Sequence, residues 1–423
     1  MKKKINHILP ALVLTASLGL TTVSCNGFLD EMPDNRTELN TDQKIAKLLV
    51  SAYADVSPNE LFELYSDNSD DSGPTYGYYK LSEQECYHWQ DTKEEYQDTP
   101  NSLWGGYYSA IAAANMALNA IEEKGNPASL DPQRGEALVC RAYCHFMLAN
   151  IFCNAYDTHA SQSLGVPYME EVETTVSPRY ERGTLEEVYR KVERDLLEGI
   201  GLISDDSYSV PKYHFTRKAA YAFAARFYLY YMKPDFSNCD RVIDFATRVL
   251  GTNPDDLLRN WEALGNLSVN GNVQADAYIA SSNEANLLIS STVSNWGAIG
   301  SDYLIGPRYF HNQTLATSET CLSSGLWGSS DYFYLKPFST NGFVASILRK
   351  SGLYEGTYLY YMPVLFSTDE TLLCRAEAYA LKKMYAQSAA DITSWQRAYT
   401  RNKSVLTPEQ INTYYDRMSF YTP

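Results

Sequence analysis

Apolar and polar residues follow a helical period over much of the chain. In residues 137–151, 219–231 and 372–381, Ala or Cys recurs three and four positions apart, with an Arg in the middle and Tyr or Phe close by. This spacing puts the small residues on one helix face, where they let a neighbouring helix approach while the rings fill the remaining gaps. The pattern therefore predicts helices that pack closely on one another.

Two of these segments are followed by a turn and a second amphipathic run. Residues 239–250 follow a turn at 233–238 and end at Gly251, a typical C-terminal cap, and residues 389–399 follow a polar break. Helix-turn-helix pairs of this kind are tetratricopeptide-like, although the copies are not spaced at a fixed period of 34 residues. We therefore expect a mainly α fold whose helical hairpins form a curved scaffold. Further helices are predicted at 40–56, 101–124 and 184–203.

Two regions depart from the helical period. Residues 57–100 and about 262–360 hold most of the Gly, Asn, Ser and Asp clusters, and their aromatic residues follow no helical spacing. We expect long ordered loops and short strands mounted on the helical frame, where binding residues commonly lie. Rings on these irregular segments are expected to face outward, whereas Tyr228, Tyr230 and Tyr231, on a strongly helical segment, are expected to face inward.

The N-terminus carries a targeting signal. Three lysines at positions 2–4 precede an apolar stretch of 13 residues, 8–20, which is too short to cross a hydrocarbon core of roughly 30 Å. Small residues at 22–24 then run into Cys25, as in a lipoprotein signal, where the thiol accepts the lipid. We expect a signal peptide at 1–24 and lipidation of Cys25; an unmodified cysteine beside an ordinary cleavage site is the alternative. No other apolar run approaches 18 residues.

Charge and motifs narrow the function classes. Lys and Arg number 35 against 51 Asp and Glu, a net charge of −16, and such a surface repels nucleic acid. The GxSxG, HExxH, P-loop and GxGxxG motifs are absent, so we do not expect an enzyme. The chain has 35 Tyr, 15 Phe and 6 Trp, which is more ring surface than a scaffold requires.

The cysteines and histidines point to no disulfide framework and to no metal site. Besides Cys25, seven cysteines remain at spacings that match no compact disulfide framework, so we expect small buried apolar residues. No CxxC occurs and the histidines are scattered, so neither a metal site nor a cofactor is expected. The acidic loop 67–73 fails the EF-hand pattern; a solvated loop is favoured over a calcium site, which stays open.

Aromatic residues in the irregular segments are the candidate binding groups. A sugar ring offers a CH face that stacks on a flat side chain, and nearby polar groups match its hydroxyls. Rings with flanking Gly or polar residues cluster at 76–80, at 87–91, and at 295–297 together with 325–328. Each ring could instead pack in the core. The candidate residues are Trp89, Tyr87, Trp296, Trp327, Lys80, Tyr79, Tyr78 and Asp91.

Several segments of the chain resemble the SusD/RagB family of outer-membrane nutrient-binding lipoproteins. The first is Cys25-Asn26-Gly27-Phe28-Leu29-Asp30 with Pro33; the next is Leu103-Trp104-Gly105-Gly106-Tyr107-Tyr108. The others are Arg141-Ala142-Tyr143, Gly165-Val166-Pro167 and Arg375-Ala376-Glu377-Ala378. Each motif is weak alone, but the five occur in the family's order.

The resemblance implies a fold, a partner and a ligand class. The fold has four tetratricopeptide-like units, and the partner is a TonB-dependent β-barrel transporter (SusC-like) whose extracellular mouth the lipoprotein covers. Family members bind oligosaccharides most often and in some cases peptides, without chemistry. Motif position in starch-binding members matches Trp89, Tyr87, Lys80 and, more loosely, Trp296 and Trp327. A lipid-anchored glycan-capture protein facing the cell exterior is therefore expected; peptide cargo and a protein-interaction scaffold are the alternatives.

These features divide the chain into four parts. We expect the signal peptide at 1–24, a helical domain at 25–261, a loop-rich ligand-binding insertion at 262–360 and a C-terminal helical segment at 361–423. Family chains usually close with an Arg- and Glu-rich helix that has no counterpart before Pro423. A shortened member and an incomplete sequence both remain open.

Overall fold

The structure is a computed structural model. It describes residues 39–67, 69–75, 79–175, 178–268, 273–296, 308–310, 326, 334, 338–339, 342–343, 353–355 and 358–417. The predicted signal peptide and Cys25, and the candidate binding residues Tyr78 and Trp327, lie outside the described residues. The fold is mainly α with a few short strands, as predicted.

The helices and strands have the following bounds. The helices are α1 Asp42–Leu48, α2 Asn59–Leu64, α3 Leu81–Tyr87, α4 Pro100–Glu123, α5 Asp131–Phe152, α6 Leu185–Leu202, α7 Arg217–Tyr230, α8 Cys239–Leu250, α9 Trp261–Gly265, α10 Val273–Ile279, α11 Thr368–Leu381, α12 Tyr385–Tyr399 and α13 Pro408–Tyr415. The strands are β1 Asp70–Asp71, β2 Asn286–Ile289, β3 Thr292–Val293, β4 Tyr309–Phe310, β5 Phe338–Ser339, β6 Gly342–Phe343, β7 Leu353–Glu355, β8 Tyr358–Tyr361 and β9 Val364–Ser367. No helix within the described ranges combines the length and apolarity needed to cross a bilayer.

Consecutive long helices pack on one another. Helix α5 lies against α4 and α6, α8 lies between α7 and α11, and α12 packs on α11. The small residues of the α5 stripe are buried, with Ala137, Cys140, Cys144 and Leu148 at most 1% exposed. Their burial agrees with the predicted packing face of this helix.

The arginine shared by the three helical segments has a common role. Arg141 on α5 donates to Asp195 on α6 at 2.6 Å, and Arg375 on α11 donates to Asp391 on α12 at 2.8 Å. Arg226 on α7 forms two hydrogen bonds with Glu370 on α11. Each arginine thus pairs with a carboxylate on another helix, which satisfies charges that the packing would otherwise leave unpaired.

One expectation for the helical tyrosines is wrong. Tyr228 and Tyr231 are buried, but Tyr230 is 52% exposed. Residues three apart share a helix face, whereas an adjacent residue is rotated by about 100° away from it. Tyr230 therefore points to solvent when its two neighbours pack inward.

Short strands connect the irregular regions to the helical frame. Strand β2 pairs antiparallel with β9, which leads directly into α11, and β3, β8 and β7 form a second small sheet. Strand β1 pairs with β4, so that Asp71 lies opposite Tyr309. This last pairing brings two distant parts of the chain together beside α3.

Candidate ligand-binding site

Trp89 is held on the surface by the end of helix α3. Its backbone φ is 56°, in the left-handed region that favours glycine. The Trp89 N–H donates to the Cys86 carbonyl at 2.9 Å and the Gln90 N–H to the Glu85 carbonyl at 2.8 Å, which closes the helix. A tryptophan at such a capping position costs about 1 kcal/mol relative to glycine, and its side chain is 74% exposed.

Tyr65 supports the Trp89 ring from the protein side. The two ring centroids are 4.9 Å apart with an interplanar angle of 45°. Because the contact restricts the indole while most of its surface stays open to solvent, one ring face is available for stacking. We call Trp89 with Tyr65 the aromatic platform.

A tyrosine cluster lies beside the platform. Tyr309 on β4 is 1% exposed, and the rings of Tyr79 and Tyr87 pack on it at centroid distances of 5.7 and 4.8 Å. Tyr79 is exposed, whereas Tyr87 is half-buried. The predicted residues Tyr79 and Tyr87 are therefore brought together by a third ring that the sequence did not single out.

An arginine-aspartate pair borders the tyrosine cluster. Arg308 donates to both carboxylate oxygens of Asp71, at 2.6 and 2.7 Å, and its guanidinium lies 5.5 Å from the Tyr79 ring centroid. These hydrogen bonds hold the pKa of Asp71 below its ordinary value. The pair supplies polar groups at the rim of the site, and the acidic loop 67–73 thus contributes an ion pair.

Lys80 contacts carboxylates rather than open surface. Its ammonium lies 3.6 Å from Glu60 Oε1 and 3.7 Å from Glu83 Oε1, and its side chain is only 17% exposed. Lys80, which was expected to meet ligand hydroxyls, is thus held between the side chains of Glu60 and Glu83. Asp91, by contrast, is exposed two residues after Trp89, as a rim residue requires.

Buried acids link the α3 region to the segment before Trp296. Asp98 accepts a hydrogen bond from the Asn295 N–H at 2.7 Å, and Gln97 donates to the Asn295 side chain at 2.7 Å. Burial raises the pKa of both Glu60 and Asp98 above their ordinary values. Within the described part of the chain, no group of three or more His, Cys, Asp or Glu residues is arranged to hold a metal ion.

Trp296 does not face outward. It is 5% exposed, its backbone N–H donates to the Ser294 hydroxyl at 3.0 Å, and its side chain hydrogen-bonds with Tyr361. A ring in this position has no free face to stack on a ligand, so Trp296 differs from the expectation and is not part of the platform.

Tyr65, Tyr309 and Arg308 also belong to the site, although none of them was predicted from the sequence. The Asp71–Arg308 pair spans 237 residues, and no local pattern marks either partner. Asp71 was visible only as one member of an acidic loop. Asp71 and Arg308 are brought together by the pairing of β1 with β4, which is a feature of the tertiary structure.

Comparison with known proteins gives one family match. Residues 27–229 match a SusD-like family described as starch-binding and associating with the outer membrane. No protein of curated function matches the sequence significantly.

Solved structures share the fold at low sequence identity. A SusD superfamily protein from Bacteroides fragilis is 15% identical with a TM-score of 0.65, covering 89% of this chain and 86% of the other. One from Bacteroides thetaiotaomicron is 16% identical with a TM-score of 0.65, covering 87% and 83%. A provisionally named sugar-binding protein from Bacteroides vulgatus is 21% identical with a TM-score of 0.55, covering 89% and 83%.

Proposed function

The chain belongs to the SusD/RagB family, and from this premise we propose that the aromatic platform captures oligosaccharides by stacking on their rings. The family match supports a carbohydrate-binding role, and family members are binding proteins rather than enzymes. The proposed site combines the platform, the exposed Tyr79 ring and the Asp71–Arg308 pair, with Asp91 on the same loop as Trp89.

The exposed Trp89 ring is the observation that carries this proposal. A side chain that occupies a glycine position, is 74% exposed and rests on a second ring has no evident role in holding the fold. Strained backbone of this kind often occurs at functional sites. Stacking on a shallow surface implies modest affinity, on the order of micromolar to millimolar.

The Trp89→Gly variant tests the platform. Glycine fits the left-handed backbone, so folding should be unimpaired while the stacking surface is removed. Titration calorimetry with α-glucan oligosaccharides, other glycans and peptides should identify the best ligand of the wild type. The variant should bind that ligand roughly 10-fold more weakly or worse.

Tyr385→Ala is the matched control, because it removes another exposed ring (53% exposed) at the start of α12, far along the chain from α3. Its affinity should equal that of the wild type. An unchanged affinity in Trp89→Gly would refute the platform as the binding site. If the protein bound peptides and no glycan, the cargo would be peptides instead of oligosaccharides.

We further propose delivery of the captured oligosaccharide to a TonB-dependent β-barrel transporter. The family's association with the outer membrane supports this step. The test is affinity purification of the tagged protein from membranes solubilised in mild detergent. Co-purification of a transporter barrel is expected, and its consistent absence under conditions that preserve other membrane complexes would contradict the proposal.

The membrane anchor is proposed to be a lipid on Cys25. The sequence before Cys25 supports this, as does the outer-membrane association of the family. Cys25→Ala should release the protein from the membrane fraction, since anchoring depends on the acyl chains. Unchanged fractionation of this variant would argue against lipidation.

A further inference from the structure

A polar cavity lies between the helices and the small sheets, apart from the aromatic platform. Its volume is about 310 Å³, and it lies where α4, α5 and α7 approach strand β9 and the start of α11. Neither platform ring lines it. Ligand pockets generally measure roughly 300–1,000 Å³, so this cavity suits a small molecule. Its polar lining includes Asn59, Tyr107, Tyr143, Arg226, Tyr361 and Glu370.

Tyr107 on α4 brings a phenol hydroxyl to this cavity. The residue is 1% exposed, and no hydrogen bond of its hydroxyl occurs among the residues that the structure describes. Burial raises the pKa of this phenol well above its ordinary value, so it stays protonated and can donate. A bound molecule in the cavity would supply this hydroxyl with a hydrogen bond.

The charges in the cavity cancel. Arg226 Nε lies 2.5 Å from Glu370 Oε1, and Arg226 Nη2 lies 2.6 Å from Glu370 Oε2. Arg226 is further fixed by a hydrogen bond to the Leu365 carbonyl at 2.6 Å. Because both charges are already paired, a charged ligand entering the cavity would lose its hydration without gaining an ion pair. The cavity therefore favours a neutral ligand.

The remaining polar groups are hydroxyls and an amide. Tyr143 lines the cavity together with Arg226, and Asn59 Nδ2 donates to the Tyr361 hydroxyl at 3.3 Å. Hydroxyl groups both donate and accept, so they can match the several hydroxyls of one small molecule. Apolar side chains, including Phe62 and Met147, complete the lining and can meet a CH face.

We propose that this cavity binds one neutral polyhydroxylated molecule of the size of a single sugar ring, at a site separate from the aromatic platform. The size, the cancelled charges and the unpartnered Tyr107 hydroxyl together carry the assignment. The inference deepens the proposed function, since both concern sugars, and the variants below let the two fail independently.

The test titrates the protein with single sugars by ligand-observed NMR. The neutral probes are glucose, galactose and mannose, and the charged comparisons are glucuronate and glucosamine. At least one neutral sugar should bind, and more tightly than either charged one. Tyr107→Phe, which removes only the hydroxyl, should weaken that binding roughly 3- to 10-fold, and its unfolding temperature without sugar should equal or exceed that of the wild type.

Two further variants separate this site from its alternatives. Trp89→Gly removes the platform and should retain the Tyr107-dependent binding of the single sugar, because Trp89 does not line the cavity. Tyr228→Phe removes a buried hydroxyl that donates to Glu193 at 2.8 Å outside the cavity; it should lower the unfolding temperature and leave sugar binding unchanged.

Three results would overturn the cavity site: no binding of any neutral sugar, equal affinity in Tyr107→Phe, or loss of binding in Trp89→Gly. The last would assign single sugars to the platform and leave the proposed function standing. If the protein failed to bind oligosaccharides at the platform but still bound a single sugar, the proposed function would be wrong and the cavity site would still be supported.

Discussion

Two tryptophans on irregular segments have opposite environments. Trp89 follows the last turn of α3 in a left-handed conformation that turns its ring outward, whereas Trp296 has polar partners for both its backbone N–H and its side chain. A buried indole needs a hydrogen-bond acceptor, and Tyr361 provides one. The environment of each ring is therefore decided by partners that are remote in sequence.

Trp296→Ala should act on stability. Removing a buried tryptophan leaves a cavity and removes its hydrogen bond with Tyr361, which we expect to lower the free energy of unfolding by about 3–5 kcal/mol. Chemical denaturation measures this change, with Trp89→Gly as the exposed-ring control that should be close to neutral. A Trp296→Ala protein of wild-type stability that has lost ligand binding would contradict the buried assignment.

Glu60 should make stability depend on pH. Burial raises its folded-state pKa above its ordinary value, so the folded protein retains a proton that the unfolded chain releases. The contribution of Glu60 to the free energy of unfolding is therefore fully present below its unfolded-state pKa of about 4.3. This contribution is lost as the pH rises toward the folded-state pKa. Glu60→Gln has no such proton to lose. The unfolding temperature of the variant minus that of the wild type should therefore increase as the pH is raised from 5 to 8.

Exposed Glu95 is the control for this pH series. Glu95→Gln should shift the unfolding temperature by the same small amount at every pH. A difference between Glu60→Gln and the wild type that stays constant across the series would show that Glu60 does not hold the extra proton.

At the scale of elements, helices α5 and α6 meet through two glycines. A Cβ at Gly199 would lie 2.7 Å from the Gly135 carbonyl oxygen, and one at Gly135 would lie 2.8 Å from the Gly199 carbonyl oxygen. Contacts under 3 Å with backbone cannot be relieved by rotating a side chain. The two glycines therefore set how closely this helix pair approaches, and the Arg141–Asp195 pair joins the same two helices.

Gly199→Ala should lower stability although alanine favours helix. The new methyl group forces the helices apart, which we expect to cost about 1–3 kcal/mol. Gly201→Ala on the same helix has nothing within 4 Å of its Cβ and should instead stabilise by about 0.5–1 kcal/mol. Thermal denaturation of both variants compares the two, and equal effects would contradict the close glycine contact.

At the scale of the whole molecule, packing rather than covalent links holds the described chain together. Cys86, Cys140, Cys144, Cys239 and Cys374 are buried free thiols, as the sequence predicts, while Cys153 is half-buried. Burial raises the pKa of these thiols, for example that of Cys86 to about 11, and suppresses their reactivity. The paired arginines supply the polar links between helices.

Thiol chemistry should reflect this arrangement. The unfolding temperature should be the same with and without a reducing agent, because the described cysteines form no cross-links. In the folded protein these thiols should react slowly with a labelling reagent, and denaturation without reductant should release all six. A labelling count that rises only after reduction would reveal a disulfide among them.

The binding residues were predicted in part. The sequence identified Trp89, Tyr87, Tyr79 and Asp91 because rings beside polar residues in a segment predicted to be irregular suggest a binding loop, although Tyr87 is in fact the last residue of α3. It did not identify Tyr65, Tyr309 or Arg308, whose roles depend on contacts with residues distant in the chain. The boundaries of the insertion and the contribution of Tyr78 and Trp327 stay predictions.

The sequence by itself determined the helices, their small-residue faces, the arginine within each packing segment and the resemblance to the SusD/RagB family, because these depend on spacing within one stretch of chain. Only the tertiary structure decided which rings are exposed, which carboxylate each arginine pairs with, and that a neutral cavity forms around Tyr107. Those outcomes depend on which distant segments pack together, and burial and pairing are properties of that packing rather than of any local pattern.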